Sequence, residues 1–298
     1  MNKKAIILAI LANFLWSTAF LGIKSAIHLT TPLFFAGFRF MISGLLLLPL
    51  WIGVLRLRKQ LVANWRFLVG IGALQTFFTY ALFYNAFKYV DGAMAAIIIG
   101  SGPILTAITT HFFIHNDKMT KKKMLTLICG FSGIVLIALS KKPFSVEGSK
   151  TILGIALLLT SSIGSIFANI FIKKSPRELN PVLISSVQLF SGGTLLFLSS
   201  FAIEGIPDFN FPMPFWLTLA WLGFLSAAAF GCWMKALLMK DVKISDLNVW
   251  KFIIPVSGAI LCWIFLENES PAFWELVGMT VVATSIVVYN RVLKAEKA

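Results

Sequence analysis

Apolar residues in this chain come in runs of roughly twenty, and each run ends in a short stretch of charge, proline or glycine. A helix needs about 20 apolar residues to cross roughly 30 Å of hydrocarbon. Repeated runs of that length predict repeated membrane spans. Ten are placed, at 5–27, 32–55, 66–87, 92–114, 122–140, 151–172, 181–203, 214–238, 244–266 and 272–291. Pro32, Pro181, Pro214 and Pro271 stand at predicted helix starts, where the missing N–H leaves no gap in the ladder. The first run follows Met1-Asn2-Lys3-Lys4 and is too long for the apolar core of a signal peptide. It also carries Asn13, Trp16 and Ser17, so it reads as an uncleaved span.

Composition agrees with the pattern. The 298 residues are 58% hydrophobic and 13% charged, and the mean hydropathy is +0.87. Soluble domains are about 45–50% apolar and about 25% charged, so a soluble core is excluded. The net charge of +14 raises the question of nucleic acid. The basic residues sit in short clusters between spans, however, and form no surface along which a phosphate backbone could lie. They report topology instead. With the N-terminus in the cytoplasm, eighteen of the 26 Lys and Arg fall in cytoplasmic segments, including Arg56, Arg58, Lys121, Lys122, Lys123, Lys240 and Arg291. Five fall outside, and Arg39, Lys235 and Lys251 fall within spans. That asymmetry predicts an even number of spans with both termini cytoplasmic, in the cell's inner membrane.

The chain also matches itself. At an offset of 149, Lys24 meets Lys173, Pro32 meets Pro181 and Gly44 meets Gly193. At an offset of 152, Pro103 meets Pro255, Ala107 meets Ala259, Phe113 meets Phe265 and Asp117 meets Glu269. Each half then holds five spans, residues 1–142 and 151–298. Five is odd, so the halves run in opposite directions. The loops agree: Lys121-Lys122-Lys123 follows the fourth span, and the acidic Glu267-Asn268-Glu269 follows its mate. The expected fold class is therefore an all-α membrane protein of ten transmembrane helices in two inverted five-helix repeats, an architecture of many secondary transporters.

Several segments in order carry a resemblance. They are Leu15-Trp16-Ser17-Thr18-Ala19-Phe20 through Lys24, Pro32 through Arg39-Phe40, the helix-four Pro103, Ile253-Ile254-Pro255-Val256-Ser257-Gly258 leading to Phe265-Leu266-Glu267-Asn268-Glu269, and Gly278. In this order and duplication the chain resembles the EamA-type members of the drug/metabolite transporter superfamily over essentially its whole length. The resemblance implies ten helices, an inverted repeat, and a central cavity lined mainly by helices 1, 3, 4, 6, 8 and 9. It implies movement of metabolites such as amino acids, often outward. Asp117 stands where many members carry Glu, and Thr126 where the second half has Gly278; both touch helix ends and packing.

Candidate binding residues follow from polarity within spans. Asn13, Trp16 and Ser17 share a face of the first span, and Ser165 and Asn169 share one with Ser161 in the sixth. The third span offers Tyr80 with Thr76 and Tyr84, and Gln75 on another face. Gly100-Ser101-Gly102-Pro103 and Pro255-Val256-Ser257-Gly258 are expected to break the fourth and ninth spans. Paired interruptions of that kind point to a binding site, so Ser101, Pro103 and Pro255 are candidates; simple kinks are the competing reading. Lys251 lies on a polar and small stripe with Asn248, Pro255 and Gly258, and is expected to meet an anionic group of the substrate. Lys235 shares a face with Ala228, Gly231 and Cys232, or else snorkels to the membrane surface. Arg39 reads as a packing residue near Ser43.

No Asp or Glu lies mid-span, which disfavours a carboxylate-driven proton antiport of cationic drugs. No nucleotide loop, metal-ligand cluster or nucleophile with its base is present, so no catalytic residue, cofactor or metal is expected. The main expectation is a secondary transporter of small metabolites, amino acids or related solutes, acting in export by alternating access. Its partners are a small-molecule substrate and the lipid bilayer, not nucleic acid, and it acts as a monomer or homodimer. A membrane-embedded lipid-modifying enzyme and a non-transporting scaffold are the alternatives.

Overall fold

Proline and glycine placement accounts for most of the helix ends. The computed structural model describes residues 1–26, 29–90, 92–141, 148–175, 177–265 and 271–295. Among these, all regular structure is helical. In chain order the helices are α1 (Lys3–Ala26), α2 (Pro32–Leu46), α3 (Leu55–Ala86), α4 (Gly92–Gly100), α5 (Gly102–Phe113) and α6 (Lys121–Lys141). The second half continues with α7 (Gly148–Lys174), α8 (Pro181–Ile203), α9 (Met213–Leu237), α10 (Ile244–Phe265) and α11 (Phe273–Ala295). Pro32 and Pro181 open α2 and α8 as expected, and the Asn180 side chain caps α8 by accepting from Val182 N.

Eight helices among the described residues are long and apolar enough to cross a membrane: α2 with its extension to Leu50, α3, and α6 through α11. The chain is thus an all-helical, multi-pass membrane protein. α1 and the pair α4–α5 lie outside that set of eight. Three boundaries differ from expectation. The second span ends early, at Leu46, and a single 3₁₀ turn over Leu48–Leu50 carries Pro49. The third helix starts at Leu55 rather than 66, so Arg56, Arg58 and Lys59, expected in a loop, lie on its first turns. The break expected at Pro255-Val256-Ser257-Gly258 sits earlier: Val249–Phe252 is 3₁₀ and the helix is regular from Ile253 to Phe265. The proline ring clashes with the preceding turn, so the strain is taken up N-terminal to it. The break at Ser101 is where the Gly-Ser-Gly-Pro run placed it, between α4 and α5. Lys142, Glu147, Glu267, Glu269 and Lys297, and the side chain of Lys24, lie outside the described residues.

The helices pair in a recurring way: α2 on α8, α6 on α11, α1 on α9, and α3 on α7. Small residues let the first two pairs close. A Cβ built on Gly44 would stand 2.6 Å from Phe190 N, and one on Gly193 would stand 2.7 Å from Met41 N. Gly133 and Gly278 meet across α6 and α11, each Cβ position 2.6 Å from the other's carbonyl oxygen. This is small-residue packing of the kind that holds membrane helices together without a hydrophobic driving force.

At one end a buried polar cluster fastens α10. Asp117, 2% exposed, accepts from the Ser245 backbone N at 3.0 Å and from the Ser245 hydroxyl. It therefore satisfies an orphan donor of the first turn of α10. Next to it Asp246 accepts from the Tyr289 hydroxyl at 3.1 Å and lies 4.0 Å from the Lys123 ammonium. The sequence marked Asp117 only as a helix-end residue; the structure makes it the tie between the α5–α6 loop and α10. Elsewhere Glu204, at the C-terminus of α8, caps α2 by accepting from the backbone N of Leu33 and Phe34.

Candidate functional site

A cavity of about 220 Å³ lies where the helices of the two halves meet. Pockets for drug-sized ligands run about 300–1,000 Å³, so this one suits a small solute. From the first half come Trp16 and Ala19 of α1, Arg39 of α2, Gln75 and Tyr80 of α3, Ile99 of α4 and Thr106 of α5. From the second come Ser161, Ser165 and Asn169 of α7, Phe230 and Trp233 of α9, and Lys251 and Ile254 of α10.

A single irregularity places the α3 side chains. Residues Gly72–Phe78 form a π-helical stretch, whose bonds close five residues apart. The Thr79 hydroxyl donates to Leu74 O at 2.9 Å, spanning that same interval. Five residues then bring the chain round to the same face, so Gln75 and Tyr80 look together into the cavity. On a plain α-helix they face apart, which is how the sequence read them. Thr76, expected beside Tyr80, turns instead toward Gly192 of α8.

One face of α7 supplies a polar ladder. Gln75 Nε2 donates to Ser165 Oγ at 3.0 Å, and Asn169 Nδ2 donates to Ser165 O at 2.9 Å. Trp233 Nε1 donates to Asn169 Oδ1 at 3.2 Å. The spacing Ser161, Ser165, Asn169 was legible, because polar residues four apart share a face. The aromatic wall is Trp16 against Phe230 and Trp233, each at 5.4 Å between ring centroids.

Two cations complete the site. The Lys251 ammonium sits 5.0 Å above the centre of the Trp233 ring, a cation–π contact. It reaches the cavity from the 3₁₀ segment of α10. Arg39, 4% exposed, lays its guanidinium 4.4 Å from the Phe40 ring centre and 5.9 Å from that of Tyr80. Its Nε and Nη1 are buried without a hydrogen-bond partner, as is Trp16 Nε1. The Ser43 hydroxyl donates to the Arg39 carbonyl one turn back at 2.6 Å.

Of the candidates read from sequence, the cavity gathers Trp16, Gln75, Tyr80, Ser165, Asn169 and Lys251. The others lie off it. Asn13 and Asn248 are buried and donate to carbonyls one turn back, Ala9 and Ile244. Ser17 donates to Phe14 O, and Ser101 to Ile98 O at the helix break. Pro103 is buried at the start of α5, and Pro255 lies in the first turn of the regular part of α10, one residue past the cavity-lining Ile254. Lys235 is exposed on α9, whose inward face carries Phe230 and Trp233 rather than Gly231 and Cys232. Sequence reasoning missed Arg39, Phe230, Trp233, Thr106 and Ile254 as lining. Arg39 alone carried a signal, a charge at membrane depth; an apolar span gives no sign of which aromatic turns inward.

Such a fold and cavity define a polytopic membrane protein with a solute-sized chamber between two halves. The chain belongs to the EamA-like transporter family, which matches it twice, over residues 3–139 and 152–291. This agrees with the resemblance to the drug/metabolite transporter superfamily. Relatives are similar over nearly their whole length. The uncharacterized transporter YvbV of Bacillus subtilis is 25% identical over 100% of this chain and 94% of its own. The uncharacterized transporter sll0355 of Synechocystis is 24% identical over 95% and 89%. The protein PecM of Dickeya dadantii is 26% identical over 94% and 90%. A solved crystal structure shares the fold with a TM-score of 0.83 at 16% identity, covering 100% of both chains.

Proposed function

We propose that the chain is a secondary transporter of small metabolites, amino acids or related solutes, working in export by alternating access. One observation carries the reading: the cavity is built jointly from both family matches, with Arg39 from the first and Lys251 from the second. A chamber shared by two halves opens to either side when the halves rock against each other. The helix pairing supports a twofold relation of residues 1–142 and 151–298, and five spans in each half would make it inverted. α1 on α9 and α7 on α3 are mates under the sequence offset, while α2 on α8 and α6 on α11 pair mate with mate. Ten spans follow if α1 and the broken α4–α5 also cross. A scaffold gives a buried, solute-sized chamber no role, and a lipid-modifying enzyme would need acids, histidines or metal ligands, which are not among the described residues lining this one.

Counterflow in proteoliposomes tests transport. A preloaded metabolite pool is expected to drive uptake of a labelled member of that pool above protein-free vesicles. Equal uptake across a broad screen of amino acids, organic acids and amines would overturn the reading. Orientation is tested separately. Single cysteines at Lys122 and Glu269 are expected to label from opposite sides, Lys122 from the cytoplasm. Labelling of both from one side would sink the inverted repeat.

A further inference from the structure

We infer that the cavity selects solutes of net negative charge, small organic anions with an apolar body, and that Arg39 acts with Lys251 to select them. The inference rests on the transport reading and narrows its substrate class, favouring the organic acid over the parent amino acid. Three observations carry it. First, the two cations come to one chamber of about 220 Å³ from different helices, and no Asp or Glu among the described residues lines it. Of the described acids that touch these helices, Asp117 and Asp246 hold Ser245 and Tyr289, Glu275 accepts from Trp263, and Glu204 caps α2. A charge inside a membrane is retained only where something compensates it.

Second, the unsatisfied groups are mostly donors. Arg39 Nε and Nη1 and Trp16 Nε1 are buried without partners, against one acceptor on the cavity wall, Gln75 Oε1. Leaving a buried donor unpaired is costly, and a carboxylate supplies two oxygens that accept from a guanidinium fork. Third, two of the ring faces on the cavity wall that would welcome an ammonium, those of Trp233 and Tyr80, already carry cations. The Trp233 face holds Lys251, and the Phe40 and Tyr80 faces hold Arg39. An amino acid would bring a third positive charge into a chamber with two, and its ammonium would find neutral oxygens and ring faces but no carboxylate among the described residues. The remaining wall, Phe230, Ile99 and Ile254 among it, suits an apolar body.

The test is a matched series that shares one body and differs in charge: phenylacetate, phenylethanol, phenylalanine and phenethylamine, with isocaproate and leucine as an aliphatic pair. Binding to the purified full-length protein in detergent and inhibition of counterflow are both measured. Each anion is expected to bind at least about tenfold more tightly than its zwitterionic, neutral or cationic partner. Arg39→Gln is expected to remove that preference while phenylethanol binds as before, and Arg39→Lys to restore part of it. Equal or tighter binding of phenylalanine and leucine overturns the inference and leaves transport standing. Anion binding without flux keeps the inference and sinks transport. Absence of binding across the whole series overturns the inference. Should Arg39→Gln fail to fold, the wild-type series and Arg39→Lys decide alone.

Discussion

Gly44→Val is expected to abolish the folded protein in the membrane, while Gly231→Ala is expected to be tolerated or mildly stabilising. The contrast follows from what a side chain would meet. At Gly44 the new Cβ stands 2.6 Å from both Phe190 N and Phe190 Cβ and 2.7 Å from Ser186 O. Two of those three atoms are backbone of α8, so no rotamer can relieve the clash. The Gly44 carbonyl also accepts from the Ser186 hydroxyl at 2.8 Å, a bond lost when α2 and α8 are pushed apart. Overpacking of a tight contact costs about 1–3 kcal/mol and more where backbone must move. Here the displaced contact is the most extensive helix pair of the fold. At Gly231 nothing stands within 4 Å, and replacing a helical glycine with alanine gains about 1 kcal/mol. Size-exclusion profiles and thermal midpoints in detergent check the pair. A monodisperse Gly44→Val protein with the wild-type midpoint would refute the packing account.

The crossing was visible in sequence only as a coincidence, Gly44 meeting Gly193 at the repeat offset. Its reason is geometric: both glycines sit on the α2–α8 contact, where mate faces mate, so each half must supply a small residue at the same place. Span positions were legible for a related reason. Prolines at 32 and 181 and the Gly-Ser-Gly-Pro run at 100–103 constrain the backbone locally, and local constraints survive without knowledge of neighbours. The irregular stretches were not legible. The π segment at Gly72–Phe78 and the 3₁₀ turn at Val249–Phe252 have no compositional mark, since both are apolar runs with one or two polar residues.

Those two irregularities decided which site residues could be found. Ser165 and Asn169 lie on a regular helix and keep ordinary spacing, so their common face was readable. Gln75 and Tyr80 were both chosen for their polarity, but only the π turn puts them on one wall. In α9 the small residues Gly231 and Cys232 suggested an inward stripe with Lys235. The helix is apolar all round, so composition could not fix its rotation, and the structure turns Phe230 and Trp233 inward. Trp233 has a polar reason to be there, because its indole N–H needs a partner and Asn169 supplies one.

Lys251→Met is expected to weaken handling of anionic substrates about 10- to 100-fold while leaving thermal stability unchanged or raised. Met keeps the length and the apolar stem and removes only the charge. In the folded protein that charge rests on the Trp233 ring at 5.0 Å and has no carboxylate beside it among the described residues. A cation so placed is a cost to folding, since its solvation inside the membrane is only partly replaced by a ring face. Removing it therefore relieves the fold. The same cation gains about 1.5–3 kcal/mol when a carboxylate hydrogen-bonds to it, which is the source of the affinity loss. A residue that stabilised the bundle would show the opposite pairing, a lower midpoint with binding preserved. Binding of phenylacetate and phenylethanol to the variant separates the effects: the acid should lose affinity and the alcohol should not. Unchanged affinity for the acid, or equal loss for both, would show that Lys251 does not meet the substrate's charge.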